Sequence, residues 1–85
     1  MDPIVPAQCW MARTALGWGV RELARAAEVS PDTVVRFERG DALKEITVEV
    51  IQRTLERAGV VFIDAHGGGP GVRLSGSGKA ASRKR

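Results

Sequence analysis

The sequence predicts an all-α fold: a compact bundle of four or five helices, ending in a small C-terminal β-strand or hairpin and a disordered basic tail. Three observations predict it. Apolar residues recur at helical spacing in successive stretches between residues 7 and 58. Those stretches are punctuated by Gly17, Gly40 and Gly59, which suit positions just past a helix C-terminus. Hydrophobic residues make up 44% of the chain but aromatics only 5%, which favours closely packed helices with small contact residues. At 85 residues there is one domain at most, and its core must be thin.

Pro3 and Pro6 bracket a short extended start. The first helix spans Ala7 to Leu16, with Cys9, Ala12 and Leu16 on one face, and Gly17 ends it. The second spans Val20 to Ala27, with Val20, Leu23, Ala24 and Ala27 on its apolar side and Gly19 as an acceptable cap. Ser30 then caps a third helix through its hydroxyl. Pro31 suits the first helical position because its missing N–H is not needed there, and Asp32 favours the positive end of the helix dipole. This helix runs to Arg39, buries Val34 and Phe37, and stops at Gly40. Only Glu28 and Val29 separate it from the second helix, with Ser30 as the cap.

A polar link, Asp41 to Ile46, leads to Thr47 as the expected cap of a fourth helix ending at Ala58. Val48, Ile51, Leu55 and Ala58 face inward in this reading. Residues 60–64, VVFID, have the β-branched and aromatic content of a strand. After the turn AHGGGPG, Val72 to Leu74 can pair back as a second strand. The final SGSGKAASRKR is too polar to order itself. The expected organisation is a helical domain at 1–59, a β extension at 60–74 and a disordered basic tail at 75–85.

The charge is unevenly placed. Residues 1–74 carry nine Lys or Arg against ten Asp or Glu, a net of −1. Lys79, Arg83, Lys84 and Arg85 supply +4 with no acid, so the overall +3 belongs to the tail. Bulk charge therefore gives no argument for nucleic acid in the folded part. On a disordered arm the four cations either add counterion-release affinity for DNA or serve as a solubilising end. Cys9 is the only cysteine and reads as a small buried apolar residue. No apolar run approaches the roughly 20 residues of a membrane span. The start MDPIVP lacks a basic stretch before an apolar one, so the expectation is no secretory signal and a cytoplasmic location. His66 stands alone in the glycine-rich turn, with no metal-ligand spacing around it. That turn also lacks the Lys-Ser or Lys-Thr pair and the following helix of a phosphate loop. The expectation is a binding protein, not an enzyme, with no cofactor, metal or small-molecule substrate.

Two short helices joined by a tight turn, the second with a polar outer face, make a helix-turn-helix pattern. Leu23, Ala24, Ala27, Val29, Val34 and Phe37 hold the pair together, which frees the other flank of the third helix. The stretch from Arg13 to Gly40, RTALGWGVRELARAAEVSPDTVVRFERG, resembles the Xre family of phage repressor and Cro-like regulators. The resemblance lies in ELA of the second helix, VS-P-x-T-V opening the third and the closing FERG; the segment GVVFID…GGGPGVRL is similar to a C-terminal extension of many short members.

The resemblance implies a transcriptional regulator that sets helix 31–39 into the major groove of a double-stranded DNA operator. It implies a reading face of Asp32, Val35 and Arg36, with Thr33 close to the backbone. Arg36 suits guanine O6 and N7, and Val35 a thymine methyl. Gly19 to Arg21 would meet a phosphate, as would Arg39 and Lys44. Arg13 and Glu38 match an ion pair between helices one and three that orients the arginine toward the DNA backbone.

Other readings stay open. Arg36 also suits a solvated helix face or a protein contact, and Asp32 first of all stabilises the first helical turn. The Arg13–Glu38 pair is structural first, and if exposed is worth about 0–1 kcal/mol. Trp10 and Trp18 read as core or cap residues at the corner between the first two helices. Glu28 stands where the family commonly has Gly, so strain at positive φ is expected. Asp32, Val35 and the near-neutral fold favour an alternative: an antiactivator that binds and inhibits a transcription factor protein through the same surface. A symmetric operator would require a homodimer, for which the VVFI strand is a candidate surface.

Overall fold

The computed structural model describes residues 3–64 and 69–75. Four helices come first: α1 (Pro6–Leu16), α2 (Val20–Ala27), α3 (Pro31–Glu38) and α4 (Glu45–Arg57). Two strands follow, β1 (Val60–Ile63) and β2 (Gly71–Leu74). The strands pair antiparallel, with Val60 opposite Leu74 and Ile63 opposite Gly71. The basic tail expected at 75–85, apart from Ser75, lies outside the described residues, as does His66.

Helix ends are set by one repeated device. After α1, α2 and α3 the chain leaves through a residue at positive φ: Gly17 at 74°, Glu28 at 60° and Gly40 at 99°. In each case the next two amides turn back onto the helix. Trp18 N–H donates to the Arg13 carbonyl, Val29 to Ala24 and Asp41 to Arg36, at 2.8, 3.0 and 3.0 Å. This pairing satisfies carbonyls that the helix end would otherwise leave bare. Glu28 is the costly member, because a side chain with a Cβ in the left-handed region is disfavoured by about 1–2 kcal/mol.

The buried faces follow the helical periodicity. Cys9, Ala12 and Leu16 of α1 and Leu23, Ala24 and Ala27 of α2 are buried in one cluster. Val34 and Phe37 of α3 and Ile51 and Leu55 of α4 complete that layer. Ala24, 2% exposed, has no bulk to hold the helices apart.

The all-α assignment is corrected by the C-terminal strands: the fold is mixed α/β, though mostly helical. The hairpin is part of the core. Val60 and Phe62 alternate inward, at 3% and 9% exposure, and Val72 and Leu74 pack on the same cluster. Four helices with so few aromatics leave apolar surface uncovered on α1 and α4, and these strand residues cover it. Polar contacts fix the arrangement. The buried Gln8 amide of α1 donates to the Ile63 and Gly71 carbonyls, one on each strand, at 3.1 Å, while its oxygen accepts from the Val5 N–H at 3.0 Å. Ser75 N–H donates to the Gly59 carbonyl at 2.7 Å, tying the end of β2 to the turn after α4.

Two smaller expectations also change. α4 begins at Glu45, with Lys44 at the cap position, and Thr47 lies within its first turn, its N–H bonded to the Lys44 carbonyl. Leu43 of the supposedly polar link packs against the core, which brings the chain into helical geometry earlier than a hydroxyl cap at Thr47 would. Trp10 is 54% exposed and so is not a core residue, whereas Trp18 does pack on the cluster.

Candidate functional site

α2 and α3, joined by the short turn Glu28–Ser30, pack against each other where the sequence places the helix-turn-helix pattern. The turn is held at both ends. Val29 N–H returns to Ala24, and Ser30 Oγ accepts from Thr33 N–H at 3.1 Å. With Val34 and Phe37 buried, the 100° step of a helix carries Asp32, Val35, Arg36 and Arg39 to the opposite side of α3. Asp32, Val35 and Arg39 are exposed, and Arg36 is part-exposed. Val35 keeps 42% of its surface in water, high for a valine in the middle of a helix.

Beside this flank lies a cleft of about 440 Å³ between the start of α3 and the start of α4. Thr33, Arg36, Lys44 and Thr47 line it together with the apolar Val29 and Leu43, so Arg36 and Lys44 share one concave surface of mixed polarity. Thr33 is half-buried, and its hydroxyl lies 3.0 Å from Ser30 Oγ.

The remaining expected contacts are placed differently. Arg13 is turned inward: its side chain is 14% exposed, with Nε and Nη2 each donating to the Glu38 carboxylate at 2.8 Å and Nη1 to the Trp18 carbonyl at 3.2 Å. The hydrogen bond from Arg13 to the carboxylate raises the guanidinium pKa. The Cys9 thiol donates to the same carboxylate at 3.2 Å. Burial above all, with that hydrogen bond second, lifts the thiol well above its usual range. These contacts brace α1 against α3. With Glu38 only 12% exposed, they are no loose surface bridge. At the start of α2, Arg21 is exposed, but the Gly19 N–H is already held by Glu22 Oε1 at 2.7 Å. A carboxylate of the protein thus sits where the resemblance places a phosphate.

The feature that sequence reasoning missed is Asp41. Gly40 and the Asp41-to-Arg36 backbone bond fix this residue just beyond the C-terminus of α3. Its Oδ2 accepts from Arg39 Nη2 at 2.7 Å and from Arg39 Nε at 3.1 Å, and lies 3.9 Å from Arg36 Nε. The Arg39 hydrogen bond lowers the Asp41 pKa, and the same bond raises that of Arg39. The signal was present in the sequence as R-x-x-R-G-D, with an acid two residues past an arginine and separated from it by a turn-forming glycine.

No protein-family model matches the chain, and no curated protein matches it. What this surface can do follows from its own geometry and charge. It presents an exposed flank of α3 with arginines, one apolar residue and the carboxylates of Asp32 and Asp41, and Lys44 lies on the adjoining cleft. Among the described residues no group of three His, Cys, Asp or Glu is placed to hold a metal ion, and no helix is long and apolar enough to cross a membrane.

Proposed function

We propose that the protein is a transcriptional regulator of the Xre type, acting in the cytoplasm, without enzymatic activity, which binds double-stranded DNA by setting α3 into the major groove. The observation that carries this reading is the division of α3 into two sides. Val34 and Phe37 anchor it in the core while Asp32, Val35, Arg36 and Arg39 stay accessible. A helix held rigidly by its neighbours, with a guanidinium on the outer flank, suits groove readout. Arg36 reads the base, Arg39, Lys44 and Arg21 contact phosphate, and Arg13 holds α3 in place through Glu38. A symmetric operator takes two copies, with the partly exposed β1 as the candidate contact between them.

The test is fluorescence polarisation with duplexes from upstream of the protein's own gene, in excess competitor DNA at about 0.15 M salt. Competitor-resistant binding is expected, and Arg36→Ala should abolish discrimination between sequences. Binding indifferent to sequence would refute the reading.

A second reading is favoured by a specific observation. The surface carries an exposed Val35 beside Asp32, and Asp41 neutralises its arginines. This composition suits an antiactivator that docks on a transcription factor. Val35→Asp would then abolish binding to the target factor, measured by calorimetry with the purified partner, and an unchanged affinity would exclude it.

A further inference from the structure

We infer that Asp41 is a built-in competitor for the arginines of the α3 surface, occupying in the unbound protein the guanidinium edge that a DNA phosphate takes on binding. The inference rests on the DNA-binding reading above and deepens it by naming what limits affinity.

The placement supports this. A carboxylate just beyond a helix C-terminus faces the negative end of the dipole, so Asp41 is not there to stabilise α3. Its backbone N–H, held by the Arg36 carbonyl at 3.0 Å, fixes the residue beneath both arginines. One oxygen, Oδ2, then takes two donors of Arg39 and comes within 3.9 Å of Arg36. Those Arg39 donors, Nε and Nη2, form the edge that would grip two phosphate oxygens. With both engaged on Asp41, a phosphate that binds at this edge must first displace the carboxylate.

Displacement is feasible because the pair is exposed. The Arg39 side chain is 61% and that of Asp41 39% accessible, so water and salt screen the contact. Asp41 therefore weakens binding without preventing it, by about the same factor at every sequence, because a phosphate contact carries no base information. Asp32 adds a further negative charge whose field reaches Arg39. The net effect is a surface held near neutrality until a phosphate is correctly placed.

The experiment compares the full chain with Asp41→Asn, Arg39→Gln and the double variant, by polarisation on one labelled duplex from the upstream region over a salt series. Asp41→Asn should bind roughly two- to fivefold more tightly at about 0.1 M salt, and its log K against log salt should steepen by about 1, the release of one more counterion. Arg39→Gln should cancel most of the gain in the double variant, since the released group is then missing. Equal affinity and slope for wild type and Asp41→Asn, with measurable binding by both, overturns the inference and leaves the DNA reading standing. A gain that survives intact in the Arg39→Gln background also overturns it, because the effect is then net charge alone. If neither protein binds the duplex at low salt, the DNA reading fails and takes the inference with it.

Discussion

Replacing Glu38 by Gln keeps the size of the side chain and removes only its charge. The carboxylate receives Arg13 Nε and Nη2 at 2.8 Å and the Cys9 thiol at 3.2 Å. A glutamine offers one acceptor oxygen and turns an N–H₂ toward the guanidinium, leaving the Arg13 charge without a counterion. Breaking a fully buried pair costs about 3–5 kcal/mol, and an exposed pair is worth about 0–1. The Arg13 and Glu38 side chains are 14% and 12% exposed, much nearer the buried limit. A loss of about 2–3 kcal/mol is expected, lowering Tm by roughly 10–20 °C in a domain this small. The same loss should follow from Arg13→Met. The double variant Arg13→Met with Glu38→Met should recover much of it, because two apolar groups leave no unpaired charge in the cluster. Urea titration followed by circular dichroism measures all four proteins, and the double-mutant cycle isolates the coupling. Single variants within about 0.5 kcal/mol of wild type, or losses that simply add in the double variant, would refute the reasoning.

Three further outcomes are expected. Cys9 is fully buried and its thiol is raised, so the unfolded chain loses this proton first as pH rises. Stability should be full below about pH 8.5 and decline above it, a slope that Cys9→Ala flattens; native protein should also react with a thiol reagent only as fast as it opens. Glu28→Gly should relieve the φ of 60° and stabilise by up to about 1 kcal/mol, while Glu28→Val should destabilise by more than that; thermal melts decide. Phe62→Ala should cost about 3 kcal/mol in a urea titration, because the strand residue is 9% exposed within the shared core; a loss below about 1 kcal/mol would mean the hairpin is only an appendage.

The two helices α2 and α3 and the tight turn between them were legible because their signals are local. Ser30 followed by Pro31 fixes a helix start through one hydroxyl and one ring, and the apolar spacing of Leu23, Ala27, Val34 and Phe37 fixes which sides meet. Glu28 stood out through the resemblance alone, because the Xre family commonly has Gly at that turn position, and its φ is 60°. The start of α4 was not legible, because Leu43 settles it by packing, which Thr47 as an apparent cap concealed. The fold class went astray over the hairpin. Its strands could be read from VVFI and VRL, but their membership of the core depends on what α1 and α4 leave uncovered, a tertiary property. The surface was partly legible too. Arg36 and Val35 fall on the outer flank by helical period alone. The hold of Asp41 on Arg39 needs the reversal at Gly40, and the capture of Gly19 by Glu22 was visible as a G-x-x-E spacing but went unread.

The most direct measurement is backbone amide NMR of the labelled full chain, titrated with an upstream-region duplex. Shifts at Arg21, the Asp32–Arg39 flank and Lys44, with α1 unmoved and any further response confined to β1 where two copies would meet, are the expected result. A spectrum that does not respond, or responds only at Trp10 and the strands, would contradict α3 as the binding helix.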